Sequence, residues 1–191
     1  MARIQIRETD RHGAPIVRSA GVQEDLSGIL EQCPELRDGL AGFSRALRDH
    51  RTLAPRLVEL VRLRIAFHNQ CRSCMAIRYQ DALDDGLDEA LVCSLERPYE
   101  SDDLSLAEIS ALRYADLFAT DHLRIDDAVY DDLRHHFTEQ QLVELGLNCA
   151  ICVGIGRLAA SWDVVDQLPK RFQVRGAAIV TPWGSDALVV Q

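Results

Sequence analysis

The sequence predicts an all-α protein, and three observations support this. Apolar residues recur at helical spacing from about residue 22 to residue 166. Pro34 and Pro55 stand at the start of such stretches, and proline favours the first position of a helix. The stretches Ser105 to Glu108 and Thr138 to Gln141 have the pattern of capping boxes, which close the start of a helix.

The first predicted helices follow one another with short turns. A short helix ends near Gln32, and the next runs from Pro34 toward His50. Pro55 begins a helix that is apolar nearly all round, as expected of a core helix.

The second half of the chain, after Pro98, repeats this scheme. Beyond the helix that Ser105 opens, another starts at Asp126 or Asp127. A long apolar helix then runs from Thr138 to about residue 162. We therefore expect a helical bundle, and the repeated scheme allows that it consists of two related helical halves.

Length and composition favour one globular domain. The chain has 191 residues, of which 47% are hydrophobic, and its formal net charge is −9 at pH 7. Arginines are interleaved with acidic residues, so nucleic acid is not an expected partner. No early stretch resembles a signal peptide, and no uninterrupted apolar run reaches the roughly 18 residues of a membrane span. We expect a cytoplasmic protein without a membrane partner.

The two ends of the chain differ from the region between them. Residues 1–21 lack helical periodicity and are expected to form an N-terminal arm. Residues 169–191 contain the β-prone stretches 178–180 and 187–190 and are expected to form an extended C-terminal arm that could pack on a neighbouring subunit. The predicted helical domain is thus 22–168.

Cys71 and Cys74 are the residues best suited to chemistry. Two thiols at this spacing in the first turns of a helix can close a disulfide and reopen it with little backbone movement. Asn69 is a suitable N-cap for that helix, and helix N-terminal amides favour a thiolate. Arg78, four residues after Cys74, would lie on the same face and add positive charge. The alternative is a pair of packed small apolar residues.

A second pair with the same spacing, Cys149 and Cys152, lies deep in the long apolar helix, where we expect no charge nearby. We expect core packing, because a free cysteine behaves as a small hydrophobe. A four-cysteine zinc site is disfavoured, since 74 residues separate Cys74 from Cys149. No metal or cofactor is expected. In a reducing compartment a close pair such as the first is more often catalytic than a permanent crosslink.

Glu59 and His68 are the other candidate site residues. Glu59 is an acidic residue in an otherwise apolar core helix and needs a partner. His68 stands three residues before Cys71 and is the histidine nearest to the cysteine pair in sequence. It is either a proton carrier or a polar residue at a helix break.

These residues resemble the motif of the carboxymuconolactone decarboxylase and alkylhydroperoxidase D-like superfamily. Its redox members carry a glutamate, eleven residues, a cysteine, two residues, a second cysteine, three residues and a histidine. Here Glu59, Cys71 and Cys74 match that spacing, and Arg78 stands in place of the histidine. The resemblance extends over most of the chain between about 30 and 165.

The resemblance implies an alkylhydroperoxidase D-like helical bundle that assembles as trimers or multiples of trimers and reduces a small peroxide. By position, Cys74 would attack the peroxide, Cys71 would resolve the sulfenic acid as a disulfide, and Glu59 would belong to a proton relay. An external dithiol, either a thiol reductant protein or a lipoyl-type donor, would regenerate the pair. Arg78 cannot shuttle protons near neutral pH, so His68 or water would have to do so.

Two other functions stay open. Superfamily members on the decarboxylase side bind and protonate a small lactone acid without cysteine chemistry. A non-catalytic helical oligomer could use the pair only to sense oxidants. The presence of both Cys71 and Cys74 favours the oxidoreductase.

Overall fold

The computed structural model describes residues 2–10, 12–15, 23–174 and 187–190. Its helices are α1 (Gln23–Leu30), α2 (Pro34–Asp49), α3 (Pro55–Asn69), α4 (Arg72–Ala76), α5 (Gln80–Asp84), α6 (Glu89–Ser94), α7 (Leu106–Thr120), α8 (Asp127–Arg134), α9 (Glu139–Trp162) and α10 (Lys170–Gln173). The described chain also has two short 3-10 helices, Pro98–Glu100 and His122–Arg124, and two strands, β1 (Ile77–Tyr79) and β2 (Leu188–Val190). The prediction of an all-α protein is confirmed, with one small sheet beside the helices.

The predicted helix starts agree with the structure. Helices α2 and α3 begin at Pro34 and Pro55. Ser105 and Thr138 each accept a hydrogen bond from the backbone N–H three residues on, and the side chain of that residue accepts one from the backbone of the cap. Asp126 caps α8 in the same way through its side chain. Both capping boxes are therefore confirmed.

The main core forms around α3, which packs against both α7 and α9. Leu60 and Leu63 of α3 are fully buried, as are Leu112 of α7 and, nearly so, Leu145 of α9. A helix that is covered on several sides needs apolar residues around most of its circumference, which is the pattern that α3 has.

One buried carboxylate fastens the start of α3 to α9. Glu144 accepts hydrogen bonds from the backbone N–H of Thr52 at 2.8 Å and of Leu53 at 3.3 Å, and from the Thr52 hydroxyl at 2.6 Å. Hydrogen bonds to an ionised acceptor are among the stronger ones in proteins. They fix the chain that leads into α3 against α9.

Helix α9 has two unlike sides. Glu144 and Asn148 face the interior, whereas Val143 is 63% exposed and Leu147 and Leu158 are also exposed. By length and composition alone, α9 is long and apolar enough to cross a membrane. The sequence predicts no membrane span here, because charged residues interrupt the apolar run of α9. Within the described molecule, it serves as a core helix with an apolar strip on its outer side.

Helix α2 presents apolar side chains that the described chain does not bury. Leu36 is 73% exposed and Phe43 41% exposed, and Leu40 and Leu47 share their face at helical spacing. None of the residues of α2 is buried. Such a face is typical of a surface that contacts another molecule.

The C-terminal region packs on α4 and forms a second apolar cluster. Val165, Leu168 and Phe172 lie in this cluster together with Met75 and Ala76 of α4. The short helix α10 is an addition to the predicted extended arm, and it contacts α4.

Strand β2 lies at the end of the predicted C-terminal arm, and whether the arm packs on a neighbouring subunit stays a prediction. Its residues Leu188–Val190 pair in parallel with Ile77–Tyr79 of the same chain. These hydrogen-bonding partners are available because β1 follows α4 directly and offers an open edge. The other β-prone stretch, 178–180, lies outside the described residues.

The described part of the N-terminal arm, residues 2–10 and 12–15, lies along the helical body and forms no helix. The backbone N–H of Arg3 donates to the carbonyl of Trp162 at 2.8 Å, and that of Arg7 donates to the carbonyl of Gly28 at 3.0 Å. The domain limits at 21/22 and 168/169 stay predictions.

Candidate active site

Cys71 and Cys74 lie at a break between two helices. Helix α3 ends at Asn69, and Gln70 turns the chain in the left-handed conformation, with φ of 51°. Cys71 is the N-cap of α4, and its Sγ accepts the backbone N–H of Cys74 at 3.3 Å. A disulfide joins the two cysteines. Cys71 is fully buried and Cys74 is half-buried, so Cys74 is the more accessible of the two.

The helix that carries the cysteines is shorter than the sequence predicts. Asn69 is the last residue of α3 and not an N-cap, and α4 ends at Ala76. The prediction of one helix from Asn69 to Arg78 is wrong, because the left-handed Gln70 separates α3 from α4 and the chain becomes extended after Ala76.

Asn69 joins the end of α3 to α9. Its Nδ2 donates to the carbonyl oxygen of Cys152 at 3.0 Å, and its Oδ1 accepts a hydrogen bond from Nε of Arg157 at 3.2 Å. A Cβ atom on residue 156 would lie 2.5 Å from Asn69 Nδ2, so the contact requires Gly156. The start of the cysteine turn is thereby fixed against α9.

Glu59, which needs a partner in the core, has one in Arg62. Its side chain is 2% exposed, and its two carboxylate oxygens accept hydrogen bonds from Nε and Nη2 of Arg62 at 2.6 and 2.7 Å. Burial lowers the pKa of Arg62, but the charge of Glu59 and its hydrogen bond outweigh that effect, so the pKa of Arg62 is raised. Arg62 is therefore charged at neutral pH.

Arg62 also contacts the cysteine turn. Its Nη1 donates to the carbonyl oxygen of Cys74 at 2.6 Å, and its Nη2 donates to that of Ile77 at 2.8 Å. The guanidinium carbon lies 5.2 Å from the centroid of the Tyr79 ring. Burial raises the pKa of Tyr79, although the charge of Arg62 opposes this. One side chain thus connects Glu59, the backbone of Cys74 and β1.

Arg78 lies in β1, and its side chain is 1% exposed. Its guanidinium donates to Glu89 at 2.9 Å and to two backbone carbonyls of the same turn. The prediction that it shares a helix face with Cys74 is wrong, because α4 ends at Ala76. Its effect on a Cys74 thiolate stays a prediction. The guanidinium that binds the Cys74 backbone is that of Arg62.

His68 belongs to a second polar network, on α7. Its Nε2 lies 2.6 Å from Oδ1 of Asp116, Arg64 donates to both oxygens of that carboxylate at 2.7 and 3.1 Å, and the Tyr99 hydroxyl binds Oδ2. Burial raises the pKa of Asp116, but hydrogen bonds from His68, Arg64 and Tyr99 outweigh it and hold that pKa at about 2. The structure therefore groups His68 with Asp116, and Glu59 with Arg62 and the cysteine turn.

The second cysteine pair consists of free thiols in the middle of α9. Cys149 is fully buried and Cys152 is half-buried. Contrary to the expectation of uncharged surroundings, the charges of Arg62 and Glu59 act on the Cys152 thiol. Burial raises its pKa to about 11, against the lowering effect of Arg62, and burial also raises the pKa of Cys149. No group of three or more metal-ligating side chains occurs in the described parts of the chain.

Two residues of the site were missed from the sequence. Arg62 stands three residues after Glu59, and this helical spacing is a signal that could have identified the ion pair. Tyr79 gave no comparable signal, because its place beside Arg62 depends on the extended conformation of β1.

Fold and site together define a helical protein with a disulfide-linked cysteine pair at a helix start and a buried glutamate–arginine pair beside it. Residues 34–117 match the carboxymuconolactone decarboxylase family, so the resemblance predicted from the motif is confirmed for this part of the chain.

Two curated relatives are uncharacterized proteins from two strains of Mycobacterium tuberculosis. Each is 41% identical over 106 residues, which cover 54% of this chain and 37% of the relative. The chain therefore spans well under half the length of the curated relatives that it matches. No solved structure shows a significant match to the chain.

Proposed function

We propose that the protein is a cytoplasmic oxidoreductase that reduces a small peroxide with the Cys71–Cys74 pair. The observation that carries the proposal is the disulfide at the start of α4, between a buried and a more accessible cysteine. An accessible thiol suits attack on the oxidant, and a buried partner within bonding distance suits resolution.

The proposed cycle has three steps. The Cys74 thiolate attacks one peroxide oxygen, the O–O bond breaks, and the leaving oxygen takes a proton to become an alcohol or water. Cys74 is left as a sulfenic acid. The Cys71 thiol then displaces water from it to form the disulfide. An external dithiol, from a reductant protein or a lipoyl-type donor, transfers two electrons to reopen the disulfide and is itself oxidised to a disulfide.

Water is the proton carrier that we assign to this cycle. The carboxylate of Glu59 is engaged at both oxygens by Arg62, and His68 is engaged by Asp116. A relay through Glu59 would first have to break a buried ion pair, which is costly.

Self-assembly is part of the proposal. The apolar face of α2 and the outer strip of α9 are both exposed in the single chain. Covering such faces by association of identical copies removes apolar surface from water. We propose a homotrimer or a multiple of trimers. Sedimentation equilibrium, which measures the mass of the oligomer, would give the number of subunits.

The test of the function measures consumption of a dithiol in the presence of peroxide. Cys74→Ser is expected to abolish it, because the attacking sulfur is lost. Cys71→Ser is expected to stop with Cys74 as a trapped sulfenic acid or mixed disulfide, detectable by intact mass. Cys93→Ser replaces an exposed free cysteine and serves as the control. Equal, small losses from the first two variants would contradict the assigned roles.

A non-catalytic sensor would behave differently in the same assay. It would form the Cys71–Cys74 disulfide once with peroxide, with a loss of two hydrogens from the peptide that holds both residues. It would not sustain turnover when the dithiol is in excess.

A second candidate function is a lyase that acts on a small lactone acid, as the matched family's name suggests. The observation that favours it is the network around Asp116, where His68 and Tyr99 could donate protons and Arg64 carries positive charge. This chemistry needs no cysteine. Full activity of the Cys74→Ser variant on a lactone acid would therefore support the lyase over the oxidoreductase.

A further inference from the structure

We propose that Arg62 is a positioning residue of the thiol site, which fixes the backbone of Cys74 and supplies the positive charge that favours a Cys74 thiolate after reduction. This inference rests on the proposed thiol function and deepens it. It assigns to Arg62 the electrostatic role that the spacing from Cys74 predicted for Arg78.

The geometry of the guanidinium is the first support. Nε and Nη2 bind the two oxygens of Glu59, and Nη1 binds the carbonyl oxygen of Cys74 at 2.6 Å. Only arginine has a planar fork of donors that can serve a carboxylate on one edge and a carbonyl on the other. The cysteine turn is thereby held at a set distance from α3.

The placement of charge is the second support. Arg62 binds the carbonyl of the same residue whose sulfur is to react, and the edge that carries Nη1 is directed toward that residue. Its side chain is 13% exposed, so solvent screens its charge only weakly. A cation in this position lowers the energy of a thiolate relative to the thiol.

The third support is that the other charges described near the cysteine turn are weak or bound elsewhere. Arg72 donates to Asp163 and to the carbonyl oxygens of Phe172 and Gln173. Helix α4 has only 5 residues, so its dipole provides little of the charge that a longer helix would give. Arg78 is bound to Glu89 at 2.9 Å and to backbone carbonyls. Arg62 is bound directly to the reacting residue.

The test compares Arg62→Met and Arg62→Lys in the full-length protein. After reduction, the rate of Cys74 alkylation is followed over a pH series by peptide mass spectrometry, with exposed Cys93 as the internal reference. Arg62→Met is expected to raise the midpoint by about one pH unit, a tenfold loss of thiolate near neutral pH. In a glutathione buffer at a pH above both midpoints, where the thiolate is the reduced form, the disulfide should become harder to reduce by up to about 30 mV.

Arg62→Lys separates charge from shape. Lysine keeps the charge but has no fork, so a purely structural role of Arg62 predicts the same profile for both variants. Our proposal predicts that lysine keeps the alkylation midpoint close to that of the parent protein. Arg56→Met is the matched control, because Arg56 lies on α3 like Arg62 and forms a similar ion pair with Glu108 of α7. It should leave the Cys74 profile unchanged.

Two further variants guard against misfolding, since Arg62→Met leaves Glu59 buried without its cation. Glu59→Gln together with Arg62→Met removes both charges and should raise the Cys74 midpoint. Glu59→Gln alone leaves the charge of Arg62 unneutralised and should lower the Cys74 midpoint. An unchanged midpoint in the double variant, or a shift in the same direction in both, would overturn the inference.

The assay contains no peroxide, so its outcome is distinguishable from that of the proposed function. If the Cys74 midpoint follows Arg62 but no peroxide is consumed, the proposed peroxidase fails and the role of Arg62 stands. If peroxide is consumed and the Cys74 midpoint is unchanged in Arg62→Met, the proposed peroxidase stands and the role of Arg62 fails.

Discussion

The Cys71–Cys74 and Cys149–Cys152 pairs have the same spacing and opposite surroundings. Cys71 caps the start of α4, where the N–H of Cys74 is directed at its sulfur. The second pair lies in the middle of α9, where backbone N–H groups are already bonded within the helix. The first pair forms a disulfide and the second consists of free thiols.

Position in a helix, more than spacing, therefore determines what a cysteine pair can do. A helix start offers unpaired N–H groups and a turn that can adjust around a disulfide. The interior of a long helix offers neither, and burial there raises the pKa of Cys152 to about 11.

The largest expected effect concerns activity. Replacing Cys149 and Cys152 together by alanine should leave peroxide-dependent dithiol consumption unchanged, whereas replacing Cys71 and Cys74 by serine should reduce it to background. The reason is that the proposed function assigns cycling between dithiol and disulfide to the first pair and not to the second. A steady-state assay of both double variants measures this, and loss of activity in the alanine variant would end the distinction between the pairs.

The next effect concerns reactivity. A thiol pKa raised from 9.0 to about 11 means about 100-fold less thiolate at neutral pH, so Cys152 should react with iodoacetamide about 100-fold more slowly than an unperturbed cysteine. Its rate should keep rising as the pH approaches 11. Peptide mapping after timed labelling of the native protein provides the rates, with exposed Cys33 for comparison. Equal labelling of Cys152 and Cys33 at neutral pH would contradict this account.

The smallest effect concerns stability. Cys149→Ala should lower the free energy of unfolding by about 1 kcal/mol, because it removes a fully buried sulfur from a packed core. Cys152→Ala should cost less, since Cys152 is only half-buried. Urea denaturation under reducing conditions measures both values. A larger loss for Cys152 would mean that its contacts with the Glu59–Arg62 region matter more than packing.

The features that the sequence predicted well are local. Ser105 and Thr138 indicate helix starts because capping involves residues only three positions apart. Pairing of β2 with β1 was not predicted, since it joins Leu188 to Ile77 across most of the chain. The free apolar face of α2 is visible in its spacing, but the spacing does not tell what covers it.

In the candidate site too, local features were predicted from the sequence and contacts between distant residues were not. Spacing singled out Cys71 and Cys74, and the apolar surroundings of Glu59 together with the family motif singled out Glu59; their catalytic roles stay predictions. The misplacement of Arg78 has a specific physical cause: a continuing helix would direct its N–H at the carbonyl of Cys74, and Arg62 binds that carbonyl instead. The chain turns into β1 at this point, and contacts between residues distant in sequence determine where Arg78 lies.

The contact between Asn69 and Gly156 has a consequence for the evolution of related proteins. Because a methyl group at 156 would collide with the Asn69 amide, the two positions are expected to vary together. A relative with alanine at the position of Gly156 should carry a smaller or differently oriented residue at that of Asn69. Covariation of this pair across an alignment would then mark which relatives keep the cysteine turn in the present geometry.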